Sequence, residues 1–279
     1  MSEPELEVKR IGEIIGATIL PEQEFECSIH GKYTSSPMKY LGRVFNPPCP
    51  ACDKEITEKN TLEEKETAKR HKEEIRKEKE YFFTAMNIGK KFWDESFNTF
   101  DAYTPDLKHY LNICRIFASD PQGRMLLMLG KHGNGKNHLA ASILKKTGGY
   151  MYSVFEIELL LKECYSGKNS ESELYRRLCN APMLVINEIG KHKIGEWETN
   201  FLSYIINKRY ENLMPTVLIS NSHLKNSCPE SEKGCPDCLQ NFLGNDVLSR
   251  IVEDGEIMIF NEKDYRYKKR EMRGNQNEN

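Results

Sequence analysis

Residues 130–137 read Gly130-Lys131-His132-Gly133-Asn134-Gly135-Lys136-Asn137, directly after the apolar run Met125-Leu126-Leu127-Met128-Leu129 and before a helix-compatible stretch from His138 to Lys146. A strand, a glycine-rich loop and a helix start follow one another in the order a phosphate-binding loop requires. Glycines let backbone amides turn inward around phosphate oxygens, the helix N-terminus adds partial positive charge, and Lys136 is placed to reach the β- and γ-phosphates. The expected contacts to ATP or ADP are Gly130, His132, Gly133, Asn134, Gly135, Lys136, Asn137 and His138. The loop lysine of the general pattern is followed by a Ser or Thr whose hydroxyl ligates Mg2+. Here Asn137 offers an amide oxygen to the metal or its water shell.

About fifty residues on, Met183-Leu184-Val185-Ile186 ends in Asn187-Glu188. A buried central strand closing on two polar groups reads as a Walker B element. Its first acidic residue ordinarily holds Mg2+ through water and its second polarises the attacking water, which makes Glu188 the expected base. Asn187 stands where Asp is expected. It keeps one acceptor oxygen and loses the charge that offsets the metal, so weak metal binding and slow hydrolysis are expected.

After a helical segment from Glu196 to Asn212, Pro215-Thr216-Val217-Leu218-Ile219 reads as another buried strand, delivering Ser220-Asn221 at its end. The Asn221 amide there can orient water against a γ-phosphate, the sensor 1 role. Downstream, Leu248-Ser249-Arg250-Ile251 has the look of an arginine-finger element and Asp264-Tyr265-Arg266 that of a sensor 2 arginine.

Four strings together resemble the DnaC/DnaI/IstB group of AAA+ ATPases, over roughly residues 95 to 270. They are Gly-Lys-Asn-His-Leu-Ala-Ala at 135–141, Leu184 to Gly190, Pro215-Thr216 with Ser220-Asn221-Ser222, and Asp264-Tyr265-Arg266. DnaC-type loaders also carry Asn after the loop lysine, whereas Asn187 departs from the usual Asp. The resemblance implies an α/β AAA+ P-loop core, a parallel sheet flanked by helices. It further implies ATP and Mg2+ binding, assembly on a hexameric DnaB-like replicative DNA helicase, and help in placing that helicase on single-stranded DNA. Arg250 would then reach a neighbouring subunit's γ-phosphate, making hydrolysis depend on self-association. A transposition helper of the IstB kind, and a binding protein that does not hydrolyse ATP, are the alternatives.

Length and composition bound the rest. A chain of 279 residues accommodates one AAA+ core and a small appended module, and 38% hydrophobic with 29% charged residues describes a packed core under a charged surface. The run from Ile11 to Leu20 is broken by Glu13 and lacks a basic lead and a cleavage site, and no apolar stretch reaches membrane-span length. Cytoplasmic residence is expected. A net charge of −2 argues against a globally basic nucleic-acid binder, so DNA contact must come from a local patch. The tail Arg266-Tyr267-Lys268-Lys269-Arg270 is either such a contribution or a solvated terminus.

Ahead of the ATPase, Cys27-Ser28-Ile29-His30 and Cys49-Pro50-Ala51-Cys52 are two ligand pairs with knuckle spacing. Cys27, His30, Cys49 and Cys52 fill the four positions of a structural Zn2+ site and leave none open. In so short a segment the metal replaces much of a hydrophobic core. From Asp53 to Glu80 acids and bases interleave with few apolar positions, which reads as a solvated helical spacer. The expected division is a zinc module over 1–55, a charged helical linker over 56–90 and the ATPase over 91–279. Phe92-Trp93, Phe97 and Phe100 just ahead of the ATPase serve either adenine or the core.

A second group, His223, Cys228, Cys235 and Cys238, lies between the sensor 1 position and the proposed finger. It is either a second zinc site or a set of reduced thiols in an inserted loop. Cys114, Cys164 and Cys179 have helix-like, partly apolar surroundings and are expected to be buried thiols.

Overall fold

The computed structural model describes residues 17–167, 169–191, 195–225, 228, 235, 238–267 and 270. Most of the Ile11–Leu20 run, and Lys268 and Lys269 of the basic tail, lie outside the described residues. The chain divides into two compact units, 1–77 and 78–279.

The first unit carries five short strands and most of a long helix. β1 (Thr18–Ile19), β4 (Met38–Tyr40) and β5 (Arg43–Phe45) form one small antiparallel sheet, and β2 (Gln23–Cys27) and β3 (Gly31–Ser35) form a hairpin. Phe25 and Tyr33 stack across the hairpin at 5.5 Å. Among the described residues of this module only Pro37 and Cys49 are buried, so its apolar packing is slight. Helix α1 (Pro50–Ala85) is 36 residues long, and none of them is buried. At 1.5 Å per residue it measures about 54 Å. Before Phe83, which packs on the core of the second unit, it rests on helix-forming composition and on spaced ion pairs such as Lys54–Glu58, Lys59–Glu63 and Arg70–Glu66.

The second unit is a five-stranded parallel sheet. β6 (Met125–Gly130), β7 (Tyr150–Ser153), β8 (Leu184–Ile189), β9 (Thr216–Ser220) and β10 (Glu256–Phe260) lie in the order β10-β6-β9-β8-β7. Both faces are covered, which is why these strands read as continuous apolar runs rather than alternating ones. On one face Leu127, Leu129, Ile186 and Leu218 pack against α4 (Val154–Tyr165), α5 (Glu171–Asn180), α6 (Glu196–Glu211) and α7 (Gln240–Asp254). On the other, Leu126, Met128, Val185 and Ile219 pack against α2 (Pro105–Ser119) and α3 (Lys136–Thr147).

Insertion of β9 between β6 and β8 positions the site. The glycine loop leaves β6, the Asn187-Glu188 pair ends β8, and Asn221 follows the strand between them, at the carboxyl edge where open α/β sheets bind ligands. Arg209 of α6, fully buried, holds the opposite edge together. It donates to the carbonyls of Leu178, Cys179, Ala181 and Pro215 and, at 2.9 Å, to Thr216 Oγ1. Burial pulls its guanidinium down to about 10, yet every direction of the fork has an acceptor.

Candidate functional site: a nucleotide loop and two metal-donor clusters

Gly130, Gly133 and Gly135 all have positive φ, at 130°, 78° and 94°, so the loop curls in a way other residues resist. Close packing adds a second reason at the last of them, where a Cβ would lie 2.6 Å from the Phe100 ring. At Gly133 it would run into the Asp264 carboxylate. Within the curl lies Lys136, the first residue of α3, only 5% exposed. Its ammonium donates to the carbonyls of Gly130 and Lys131, both at 2.6 Å, and to Asn134 Oδ1 at 2.9 Å. Asn134, itself buried, donates to Phe260 O at 3.0 Å. Among the described residues none of the lysine's acceptors is a carboxylate, and desolvation lowers its pKa to about 8. A buried cation held by dipoles alone, inside a loop shaped by glycines at a helix N-terminus, fits a phosphate chain.

The β8 end is irregular. Its pairing with β9 shifts register between Ile186 and Ile189, and Glu188 takes φ 60°. Asn187 Oδ1 accepts the backbone N–H of Glu188 at 2.8 Å, and Glu188 is ion-paired to Lys191 at 2.7 Å. Next door, Ser220 Oγ donates to Ile189 O at 2.6 Å and accepts the N–H of Ser222 at 3.0 Å, fixing the turn that carries Asn221.

The C-terminal segment folds over the loop. Tyr265 donates its backbone N–H to Gly133 O at 2.9 Å, and Arg266 is held on Asp264, with Nε 2.8 Å from Oδ1. The exposed His132 acts electrostatically on that same carboxylate. On the other side, His138 turns toward the lead-in segment. Its Nδ1 lies 2.8 Å from Glu95, its Nε2 2.7 Å from Ser96 O, and its ring is edge-on to Phe100. Lys145 anchors the same segment through the carbonyls of Phe92, Trp93 and Glu95. Phe92, Trp93, Phe97 and Phe100 pack against the core of the second unit, with Phe100 also walling the loop. The guanidinium of Arg250 lies over the Tyr210 ring at 5.3 Å, with Nη1 buried and lacking a hydrogen-bond partner among the described residues.

In the first unit the ligand atoms of Cys27, His30, Cys49 and Cys52 lie within 4.8 Å of one another. Cys27 Sγ is 3.6 Å from Cys52 Sγ, and His30 Nδ1 is 3.2 Å from Cys52 Sγ and 3.8 Å from Cys49 Sγ. A tetrahedron with metal–sulfur bonds of about 2.3 Å has an edge of about 3.8 Å, so the donors fit one zinc ion. Backbone N–H groups of His30 and Ile29 draw Cys27 down to about 6, while the hydrogen bond from Cys52 to Cys27 pushes Cys52 up to about 11. His30 Nε2 meets Glu55 at 3.1 Å, a carboxylate behind the histidine. In the second unit His223, Cys228, Cys235 and Cys238 also converge within 4.8 Å.

Residues 53–273 match the family described as IstB-like ATP binding protein. The chain belongs to that family. Among curated relatives of this IstB-like chain, the replicative helicase loader DnaC of Escherichia coli K12 is 29% identical over 144 residues, 49% of this chain and 54% of the relative. The uncharacterized protein YdaV of the same strain is 27% identical over 131 residues, 45% of this chain and 48% of the relative. The chain thus spans about half the length of the curated relatives it matches. A crystal structure of the DnaC helicase loader aligns with a TM-score of 0.53 at 26% identity, covering 62% of this chain and 99% of that one. DnaI, at 17% identity and a TM-score of 0.50, shares the fold over 62% of this chain and 95% of its own. The second unit is therefore an AAA+ P-loop core of the DnaC type.

In this IstB-like core the sheet brings together Lys136, the Asn187-Glu188 pair and the Asn221 turn, and lays Asp264 and Arg266 over the loop. Arg250 is packed on Tyr210 of α6, and His138 faces the lead-in segment. Cys114 and Cys179 are buried, while Cys164 is half-buried. Among the described residues no helix is long and apolar enough to cross a membrane. Two participants escaped the sequence reading. Glu55 carries a signal, three residues after Cys52 on the same helix; Arg209, in a last helical turn that ordinarily carries solvated cations, carries none.

Proposed function

We propose that this IstB-like protein is an ATP-binding loader that docks on a DnaB-like replicative helicase and assists its placement on single-stranded DNA, hydrolysing ATP slowly. The observation that carries the reading is the buried Lys136 ammonium, held among the described residues by uncharged oxygens within the glycine loop. A triphosphate supplies the missing negative charge. In the proposed site Gly130 to Asn137 hold the phosphates, and Mg2+, which stabilises charge on the phosphoryl oxygens, is held near Asn137 and Asn187. Glu188 orients the attacking water and Asn221 steadies it. Arg266 approaches from the C-terminal segment, and Arg250 serves a neighbouring copy after leaving Tyr210. His132 and His138 shape the loop's two ends, and for His138 contact through the lead-in segment is the better-supported role.

The N-terminal donors hold zinc, and the module they organise over 1–55, carried on the spacer over 56–90, is the helicase-docking arm of an ATPase over 91–279. The work is cytoplasmic. Support for a loader comes from the DnaC relatives, and support for a transposition helper from the family match itself. Co-purification separates them: the loader captures the replicative helicase, whereas the helper captures a transposase. Single-turnover hydrolysis with saturating Mg2+ separates slow turnover from none.

A further inference from the structure

The cluster of His223, Cys228, Cys235 and Cys238 stands outside the nucleotide loop, in the connection from β9 to α7. Two of its three thiols are buried, Cys228 and Cys238 at 8% and 4% exposed, and Cys235 is half-buried. Cys235 Sγ lies 3.5 Å from His223 Nε2. Backbone closes the same cluster. His223 pairs with Cys238 in a parallel bridge, Leu239 donates its N–H to His223 O at 2.9 Å, and the Asn241 side chain donates to Cys235 O at 2.9 Å. Three thiolates and an imidazole form a soft, closed donor set, suited to zinc and poor for Mg2+ or Ca2+.

Its location sets what such an ion would do. His223 is two residues beyond Asn221, and Cys238 is two residues before Gln240, where the helix carrying Arg250 begins. The loop after Glu188 meets both. A Cβ on Gly190 would lie 2.6 Å from Ser222 Oγ and 2.9 Å from the Phe242 ring, so strand end, Walker B loop and α7 share one tight contact.

We propose that these four residues form a second structural zinc site, and that the ion ties the Asn221 turn to α7, making ATP turnover depend on a metal remote from the phosphates. With four protein donors there is no open position for a substrate or an activated water, so the ion acts as a cross-link. The turnover clause rests on the ATPase reading above; the metal clause does not.

The test uses the full chain. Elemental analysis of the parent is expected to give two zinc equivalents, one remaining in Cys49→Ser and one in Cys235→Ser, with two retained in His223→Cys, which keeps four soft donors. In Cys235→Ser, kcat for ATP is expected to fall about tenfold with KM within about twofold of the parent, and residues 240–254 to exchange amide hydrogens faster. A parent with a single equivalent that Cys49→Ser removes, or a Cys235→Ser protein that keeps two, overturns the site. Loss of one equivalent with kcat and exchange unchanged overturns the coupling. If the parent itself turns over no ATP, the ATPase reading fails on its own, while zinc count and hydrogen exchange still decide the site and its grip on α7.

Discussion

The side-chain oxygen of Asn187 accepts the backbone N–H of Glu188 at 2.8 Å, while Glu188 sits in the left-handed region at φ 60°. A non-glycine residue there costs about 1–2 kcal/mol, and the Asn187 bond is one of the contacts that hold it. The amide has one oxygen, it is uncharged, and this bond takes one of its two lone pairs. An aspartate could make the same bond and still turn a second, charged oxygen toward Mg2+.

Asn187→Asp is therefore expected to raise steady-state ATP hydrolysis by about tenfold or more, equivalent to somewhat over 1 kcal/mol in the transition state. Glu188→Gln in the same background should cancel the gain. Phosphate release measured across a Mg2+ titration checks this; unchanged rates at saturating Mg2+ would show that the amide already suffices.

The sheet was legible because β6, β8 and β9 are buried on both faces and so write themselves as uninterrupted apolar runs, each ending in polar residues that the fold then collects. The irregularity at Glu188 was not legible, since side-chain pattern carries no backbone dihedral and a register shift leaves the apolar positions of β8 intact. The same limit hid the strands of the first unit. They are two to five residues long and mostly exposed, so few apolar positions such as Phe25 and Tyr33 mark them. His138, read from its neighbours in the loop, meets Glu95 and Ser96 O of the lead-in segment, contacts that loop position alone does not announce.

The buried ammonium of Lys136 gives a pH signature. Its folded value of about 8 lies below the ordinary 10.5, so between those values the unfolded chain holds more protons and stability rises with pH; below about 8 the burial cost is fully present. A triphosphate favours the charged form. ATP binding near pH 8.5 is expected to take up protons, with affinity falling as pH climbs above 8, and Lys136→Ala should abolish binding. Calorimetry in two buffers of different ionisation enthalpy reads the uptake directly, and identical heats in both would contradict it.

Glu55 behind His30 is expected to matter to the metal and to nothing in the second unit. Glu55→Gln should weaken the N-terminal zinc by about 10- to 100-fold, the range found when a carboxylate behind a ligating histidine is lost. ATP affinity should remain at the parental value. Zinc release to a chromophoric chelator provides the measurement; release at the parental rate and midpoint would assign the 3.1 Å contact to the surface alone.

The most direct measurement is the affinity of the full chain for a labelled replicative helicase, titrated without nucleotide, with ADP and with ATP. Expected is binding about tenfold tighter with ATP than without, a difference of about 1.4 kcal/mol, lost in Lys136→Ala, with Cys49→Ser weakening binding in every nucleotide state. No helicase binding in any state, or one affinity throughout that Lys136→Ala leaves untouched, would contradict an ATP-dependent helicase loader.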